Sequence, residues 1–464
     1  MNIDTKLFNL QEKQNFTPPY ENKTMYGEVN TPYSLIEEML SLFPKSIFKN
    51  PHIKWLDPAC GCGYFPMVLY NILMTSLKEE IPCREKRKRH ILTNMIYMCE
   101  INNNNIKQLK KLFGEDANIL HLDFLSTSLR DFGLKDKFDV IIGNPPYNGN
   151  GLKKVPTNSS LNKKQDGITL WHRFIKHSMS LLKDDGYMNM IVPSIWMKPD
   201  KAKMYQYMTQ YKIHNIKCFT NTETKLMFKG QAQTPTCYFL LQKCITDDSL
   251  SLYDAIDDAY KHFSLLNKRI PIPLMGVSIV NKMLHFVQQY GCLTVKKTNL
   301  SPKGVILSDV KDDRHQYSNV KTCKLDGLQP YIVKQYSNKP CAFHGEKKII
   351  LSHKMYGFPF IDKDGIYGIS NRDNYVITGY THDEFTKINK FLQCKCVLFL
   401  FETTRYRMKY LEKYVFEYIP NIIEINDFPK EITDTSINTF FGFSPNEIQH
   451  MMNFHKKYKS IQDV

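Results

Sequence analysis

The sequence has no apolar run near the ~20 residues that a membrane-spanning helix needs. Its opening stretch, MNIDTKLFNLQEKQ, has no apolar core of the kind a secretory signal carries, so a cytoplasmic protein with no membrane contact is expected. It also lacks paired cysteine spacing. The 12 cysteines are scattered; Cys60 and Cys62 flank Gly61, and Cys394 and Cys396 flank Lys395. Neither is the CxxC of a zinc site, so no metal is expected and reduced thiols are the better reading. Acidic residues are in deficit, with 46 against 62 basic ones, a net charge of +16 and a pI near 9.1. A globular chain this basic suits a polyanionic partner, nucleic acid first. A surface that is basic only for solubility is the plainer alternative. No internal repeat is present, and low complexity is confined to residues 102–105 and the basic run 84–89.

What is present is length and alternation. A chain of 464 residues exceeds one ordinary core, so two domains are expected. Over residues 53–250, short apolar strands alternate with helical stretches. Strands are expected at 53–56, 95–99, 118–122, 138–142, 187–192 and 237–242, and helices at 65–77, 103–112 and 170–182. This order predicts an α/β fold with a doubly wound sheet, which binds ligands at the carboxyl ends of its strands. Residues 248–270 read as a connection. Beyond them strands are short and turn-bounded, with a hairpin turn expected at Asp364-Gly365. Ser444-Pro445-Asn446-Glu447 has the pattern of an N-cap, a first-turn proline and a capping-box glutamate, so a helix should start there. REKRKRH (84–90) reads as a solvated loop. The expected domains are 1–247 and 248–464.

Two strand ends carry chemistry. In DVIIGNPPYNGNG (139–151) an apolar strand stops at Gly143 and is followed by Asn144, two prolines and Tyr147. The prolines lock two φ angles and remove two amide donors, leaving a stiff loop that presents carbonyl oxygens and one side-chain amide. Such a loop beside an aromatic ring suits a flat ligand with an amino group; the plainer reading is a strand-end turn. In WLDPACGCGYF (55–65) Asp57 closes the first strand, and Gly61 and Gly63 allow close backbone approach to a ligand. The second strand ends in Glu100, placed to accept from ribose hydroxyls. The third ends in Asp123 and Phe124, placed for an adenine amine and ring. Each acid alone could merely cap a helix.

The DPACGCG tip, Glu100, the HLDF stretch and the NPPY loop together resemble the S-adenosylmethionine-dependent N6-adenine DNA methyltransferases. The order is similar to their gamma class, with GEVNTP (27–32) before the cofactor motif and a recognition domain last. The resemblance is specific over residues 26–243 and looser beyond. It implies a Rossmann-like methyltransferase domain with a doubly wound mixed sheet, followed by an α+β target-recognition domain. It implies S-adenosyl-L-methionine as cofactor and double-stranded DNA as partner, acted on by a monomer, and leaves room for a cognate restriction endonuclease. By it, Thr31 and Pro32 line the methionine end of the cofactor. Asp57 and Gly61 sit near its amino-acid part, with Pro58, Ala59 and Gly63 on the same loop, Glu100 at the ribose, and Asp123 and Phe124 at the adenine. Asn144 and the Pro145 carbonyl, stiffened by Pro146, take the two hydrogens of the target amine. Tyr147 stacks on the base, and Phe228, within LMFKGQAQTPTCYFLL (226–241), is the second stacking aromatic.

A flipped adenine in a duplex also needs its backbone held. Residues 148–167, with Lys153, Lys154, Lys163 and Lys164, read either as a flap that orders on phosphates or as an unstructured insertion. TTRYRMKYLEKY (403–414) interleaves Arg405, Arg407 and Lys409 with tyrosines, which suits base and phosphate contacts or a segment burying its tyrosines. Competing readings are an RNA or protein-glutamine methyltransferase with the same loop, and a nucleic-acid-binding protein without catalysis. The roughly 200 residues after the catalytic half favour DNA, and a cytosine-N4 enzyme would place Ser where Asn144 stands.

Overall fold

The computed structural model describes residues 29–149, 168–199, 203–232, 234–326, 329–353, 359–407 and 411–454. Two compact units divide the chain. The first is residues 1–196, 200–252 and 264–266; the second is residues 197–199, 253–263 and 267–464.

The first unit is built on strands β1 (Trp55–Asp57), β2 (Ile96–Glu100), β3 (Asn118–His121), β4 (Phe138–Gly143), β5 (Leu182–Pro193), β6 (Tyr211–Phe219) and β7 (Thr236–Ile245), in the order β3-β2-β1-β4-β5-β7-β6. The first five are mutually parallel, and β7 runs antiparallel to both of its neighbours. This is the doubly wound mixed sheet expected from the alternation. β1 and β2 are buried along their whole length, because helices cover both faces of a parallel sheet and leave no solvated side to alternate toward. Helices Tyr64–Ser76 and Asn103–Phe113 supply much of that cover through Leu69, Leu73, Leu109 and Phe113. Among the described residues no helix is long and apolar enough to cross a membrane.

Three local expectations change. β6 was not anticipated: its two register shifts against β7 replace period-two burial with a period near three, so YKIHNIKCF carries no strand signature. Residues Arg84–His90 form a helix, not a solvated loop. Arg, Lys and Glu are good helix formers, and Arg87 is buried, donating from Nη1 to the carbonyls of Ile81 (2.6 Å) and Pro82 (3.2 Å). Asp364-Gly365 lies in a turn, but the strands around it, Phe360–Asp362 and Gly368–Ile369, belong to different sheets, so no hairpin forms there.

The second unit is α+β. Strand Lys348–Ser352 lies between Phe360–Asp362 and Asn374–Thr378 in one four-stranded sheet, and Tyr317–Asp326 pairs antiparallel with Gln329–Ser337 in another. Val320, Cys323, Ile350, Ile369 and Val376 fill the space between the sheets. Helix Pro445–Phe454 starts as its capping pattern predicts: the Ser444 amide donates to Glu447 Oε2 (2.6 Å) and the Glu447 amide to Ser444 Oγ (3.3 Å).

Candidate active site

From β1 the chain steps outward to β2 and β3, then crosses back to place β4 on the other side of β1. The order therefore reverses between β1 and β4, and the carboxyl ends at such a switch point are where doubly wound sheets bind ligands. Asp57 closes β1 there and is 3% exposed. Its Oδ1 accepts from the Ala59 amide at 3.1 Å, while Oδ2 has no partner among the described residues. Gly143 ends β4 with φ +150°, and a Cβ there would sit 2.8 Å from Asp57 Oδ1 and 3.5 Å from Pro58 Cδ. Only glycine lets the two tips close on each other. Burial pushes the Asp57 carboxyl up to about 8 against the pull of the Ala59 amide, with a smaller upward push from Glu100.

Glu100 stitches the first loop to β2. Its Oε2 accepts from the Gly61 amide (2.8 Å), and Oε1 accepts from the Ile101 (3.0 Å) and Asn102 (2.7 Å) amides. The Cys60 amide adds a bond to the Cys99 carbonyl at 3.0 Å. Gly61, at φ +53°, faces this arrangement. Gly63 has another task than close ligand approach. It sits at φ +86° before helix Tyr64–Ser76, and a Cβ would meet Leu109 Cδ2 at 2.7 Å, so its missing side chain lets helix Asn103–Phe113 pack closely.

At β3, Asp123 is exposed, and its Oδ1 accepts from the Leu125 amide at 3.0 Å, capping the short turn Phe124–Ser126. Phe124 turns inward and is 2% exposed. Its ring stacks on Phe174 at 5.4 Å and meets His177 edge-on at 4.8 Å. The expected stacking of this ring on a ligand is therefore corrected: helix Trp171–Leu181 already occupies it.

The Asn144 side chain is held from behind. Nδ2 donates to Thr31 Oγ1 at 3.1 Å and toward the Val29 carbonyl at 3.5 Å. A carbonyl only accepts, so the amide nitrogen must point to Val29, which leaves Oδ1 directed away from it. Thr31 is buried, and Pro32 precedes helix Tyr33–Ser41, accepting from the Ile36 amide at 3.1 Å. Pro145 is buried and Pro146 half-buried. Tyr147 is half-buried; its carbonyl accepts from the Leu170 amide at 2.9 Å. The Tyr147 hydroxyl is sealed in without a partner among the described residues, and burial drives its pKa far up. Phe228 does not join it. This residue ends helix Asn221–Met227 and lies 2% exposed in the hydrophobic core, so the expected second stacking aromatic is a packing residue.

Lys153, Lys154, Lys163, Lys164 and Lys409 lie outside the described residues. Arg405 pairs with Glu402, a carboxyl that burial raises to about 7. Tyr406 is fully buried and donates to the Ile272 carbonyl, while Arg407 is exposed. In this segment tyrosine burial is the better-supported reading. Sequence reasoning missed the Val29 carbonyl behind Asn144, for which a sequence has no signal, and the anchoring of Asn144 by Thr31, which the nearness of GEVNTP to the site hinted at.

Comparison with known proteins places residues 36–224 on the model of the Eco57I restriction-modification methylase family. The type II restriction enzyme and methyltransferase RM.Eco57I of Escherichia coli is 25% identical over 305 residues, a match covering 52% of this chain and 30% of that protein. An uncharacterized adenine-specific methylase of Mycoplasma pneumoniae is 24% identical over 252 residues, covering 37% and 56%. The chain thus spans well under two thirds of the length of these relatives. Among solved structures, the type IIL restriction-modification enzyme MmeI in complex with DNA aligns over 94% of this chain and 79% of its own, at 11% identity and a TM-score of 0.49. The matched residues 36–224 hold Asp57, Glu100, Asp123 and Asn144, so the part of the chain that carries these side chains is similar to the Eco57I restriction-modification methylase family.

Proposed function

We propose that the chain transfers a methyl group from S-adenosyl-L-methionine to the N6 amine of an adenine flipped out of duplex DNA. The observation that carries this reading is the close approach of Gly143, the residue before Asn144, to Asp57, whose Oδ2 has no partner among the described residues. A buried, unpaired carboxylate costs several kcal/mol unless a proton or a cation answers it. The ammonium of an amino-acid ligand is such a cation, so the site fits the cofactor. Asp57 and the 58–61 loop would hold its amino-acid part, Glu100 its ribose hydroxyls and Asp123 its base amine, and the bound cofactor supplies an electrophilic methyl group.

The remaining chemistry belongs to the Asn144 loop. An adenine amine is a poor nucleophile because its lone pair is delocalised into the ring. Two acceptors fixed on its two hydrogens draw that pair out of the plane. Asn144 Oδ1 is one, with its direction set by the Val29 and Thr31 contacts on Nδ2. The Pro145 carbonyl is the other, rigid between two prolines. Positive charge grows on the nitrogen during transfer, so preorganised acceptors stabilise that state more than the ground state. The surplus proton then leaves to water, and no base is needed before attack. Tyr147 offers a half-buried ring against the flipped base.

The test is methyl transfer from tritiated cofactor to duplex DNA, with digestion to nucleosides. Label in N6-methyladenine is expected. Asn144→Ala should lose transfer while its calorimetric cofactor affinity stays within about twofold of the wild type, since Asn144 would meet the target amine directly and reach the cofactor side only through its bond to Thr31. Label in RNA, in protein or in no acceptor sinks the DNA reading; full transfer by Asn144→Ala sinks the catalytic role.

A further inference from the structure

The second unit contains a ribbon whose outward face has the composition of a DNA-contact surface. Residues 296–339 hold nine lysines and arginines against four aspartates, a large part of the chain's excess charge in under a tenth of its length. Within this stretch, Tyr317–Asp326 and Gln329–Ser337 form an antiparallel ribbon. Its side chains alternate. Cys323, opposite Ile332, faces the core that Val320, Ile350 and Val376 complete. The next pair, Lys324 opposite Tyr331, faces out, with Lys324 exposed and Tyr331 45% exposed. A bulge between Val320 and Thr322 turns Lys321 outward, where it meets Asp309 at 3.1 Å. Tyr317 continues the exposed side at the ribbon's base. Among the described residues, further strands pair with this ribbon only at its base, through Tyr336 and Ser337 on one edge and Asn319 and Val320 on the other. Its outer half has no lateral strand among the described residues.

We propose that this outward face docks in the major groove of duplex DNA, with Lys321 and Lys324 on phosphates and Tyr331 against base edges. The proposal rests on the DNA reading above and goes further by assigning the contact surface. Two arguments favour this occupant. The major groove of B-DNA admits a two-stranded β-ribbon, whereas the groove of duplex RNA is too narrow. The face is also centred on lysines, which protein–protein interfaces avoid, and its charge is complementary to a phosphate backbone.

The test is a salt series of fluorescence-anisotropy titrations of the full chain with mixed-sequence duplex DNA. It uses the wild type, the double variant Lys321→Ala/Lys324→Ala, the conservative Lys324→Arg and Tyr331→Ala. Two lost phosphate contacts should lower the salt slope by about 1.8, which corresponds to roughly thirtyfold weaker binding near 0.15 M salt. Lys324→Arg should keep the slope, and Tyr331→Ala should alter which sites are methylated. Wild-type slope and affinity in the double variant overturn the proposal, as does equally tight binding of duplex RNA. If the wild type methylates DNA and the ribbon variants bind and modify it unchanged, the ribbon assignment falls while the activity stands. If binding depends on the ribbon and no DNA is methylated, the activity falls and the surface stands.

Discussion

Asp57 is ionisable, buried and half-satisfied, and that combination has a measurable consequence. In the folded chain its carboxyl titrates at about 8, against an ordinary value of 3.8, chiefly because burial disfavours the charge. Between those values the folded state holds a proton that the unfolded state has released. Stability therefore falls as pH rises through that window, by about 1.4 kcal/mol per pH unit, and the fall stops above about pH 8. Near pH 7 the accumulated penalty is about 4 kcal/mol. Asp57→Asn removes the titration and keeps the acceptor for the Ala59 amide. Its new NH2 group adds an offset of about 1–3 kcal/mol if left unpaired, but that offset does not depend on pH. The difference in unfolding free energy between variant and wild type should therefore grow with pH between 4 and 8 and then level off. All three tryptophans (Trp55, Trp171 and Trp196) lie in the first unit, so urea titrations followed by tryptophan fluorescence report on the unit that contains Asp57. An equal difference at pH 5 and pH 8 would refute the reasoning. Cofactor binding supplies a second reading: a cationic ligand at Oδ2 should ionise Asp57 and release close to one proton near pH 7. Calorimetry in buffers of different ionisation enthalpy measures that release, and Asp57→Asn should abolish it.

Glu100→Ala removes the acceptor for three backbone amides, so it should destabilise the first unit by at least about 2 kcal/mol as well as weaken cofactor binding; a urea midpoint equal to wild type would confine Glu100 to the ligand. Gly63→Ala places a methyl group in a left-handed residue 2.7 Å from Leu109 and should cost about 1–3 kcal/mol, with an unchanged midpoint as the contrary result. Phe228→Ala should lower stability by about 3–5 kcal/mol, as for a buried core aromatic. Loss of base-flipping fluorescence from a 2-aminopurine duplex at undiminished stability would restore Phe228 to the site.

The positions of Asp57, Glu100 and Asn144 at strand ends were legible because each closes or follows an apolar strand that is buried. A strand covered on both faces reads as a continuous apolar run, and the first polar residue after it must stand at the carboxyl edge where ligands bind. Asp57, Glu100 and Asn144 stand at such strand ends, whereas β3 is only half-buried and ends in the exposed His121, two residues before Asp123. Aromatic side chains carry no such mark. Phe124 and Tyr147 both lie just past a strand end, yet helix Trp171–Leu181 takes the Phe124 ring while Tyr147 stays half-buried. Which of the two happens depends on what the distant segment 171–181 brings, not on the neighbours in sequence. Phe228 misleads in the same way, because a helix end can turn its last apolar residue in or out.

Basic residues are ambiguous for a related reason. Arg87 and Arg405 stand in stretches that look alike in composition, and both are engaged within the protein, by the carbonyls of residues 81 and 82 and by Glu402 respectively. The ribbon lysines differ through strand register. Cys323 and Ile332 must face the core, so period two forces Lys324 and Tyr331 outward. That constraint requires knowing which strand pairs with which, and in what register, information carried by the pairing of 317–326 with 329–337 and absent from either segment alone. A surface made by register is thus unreadable in sequence even when every residue in it is of a telling type. A site made by strand ends is readable because the end of a buried strand announces itself.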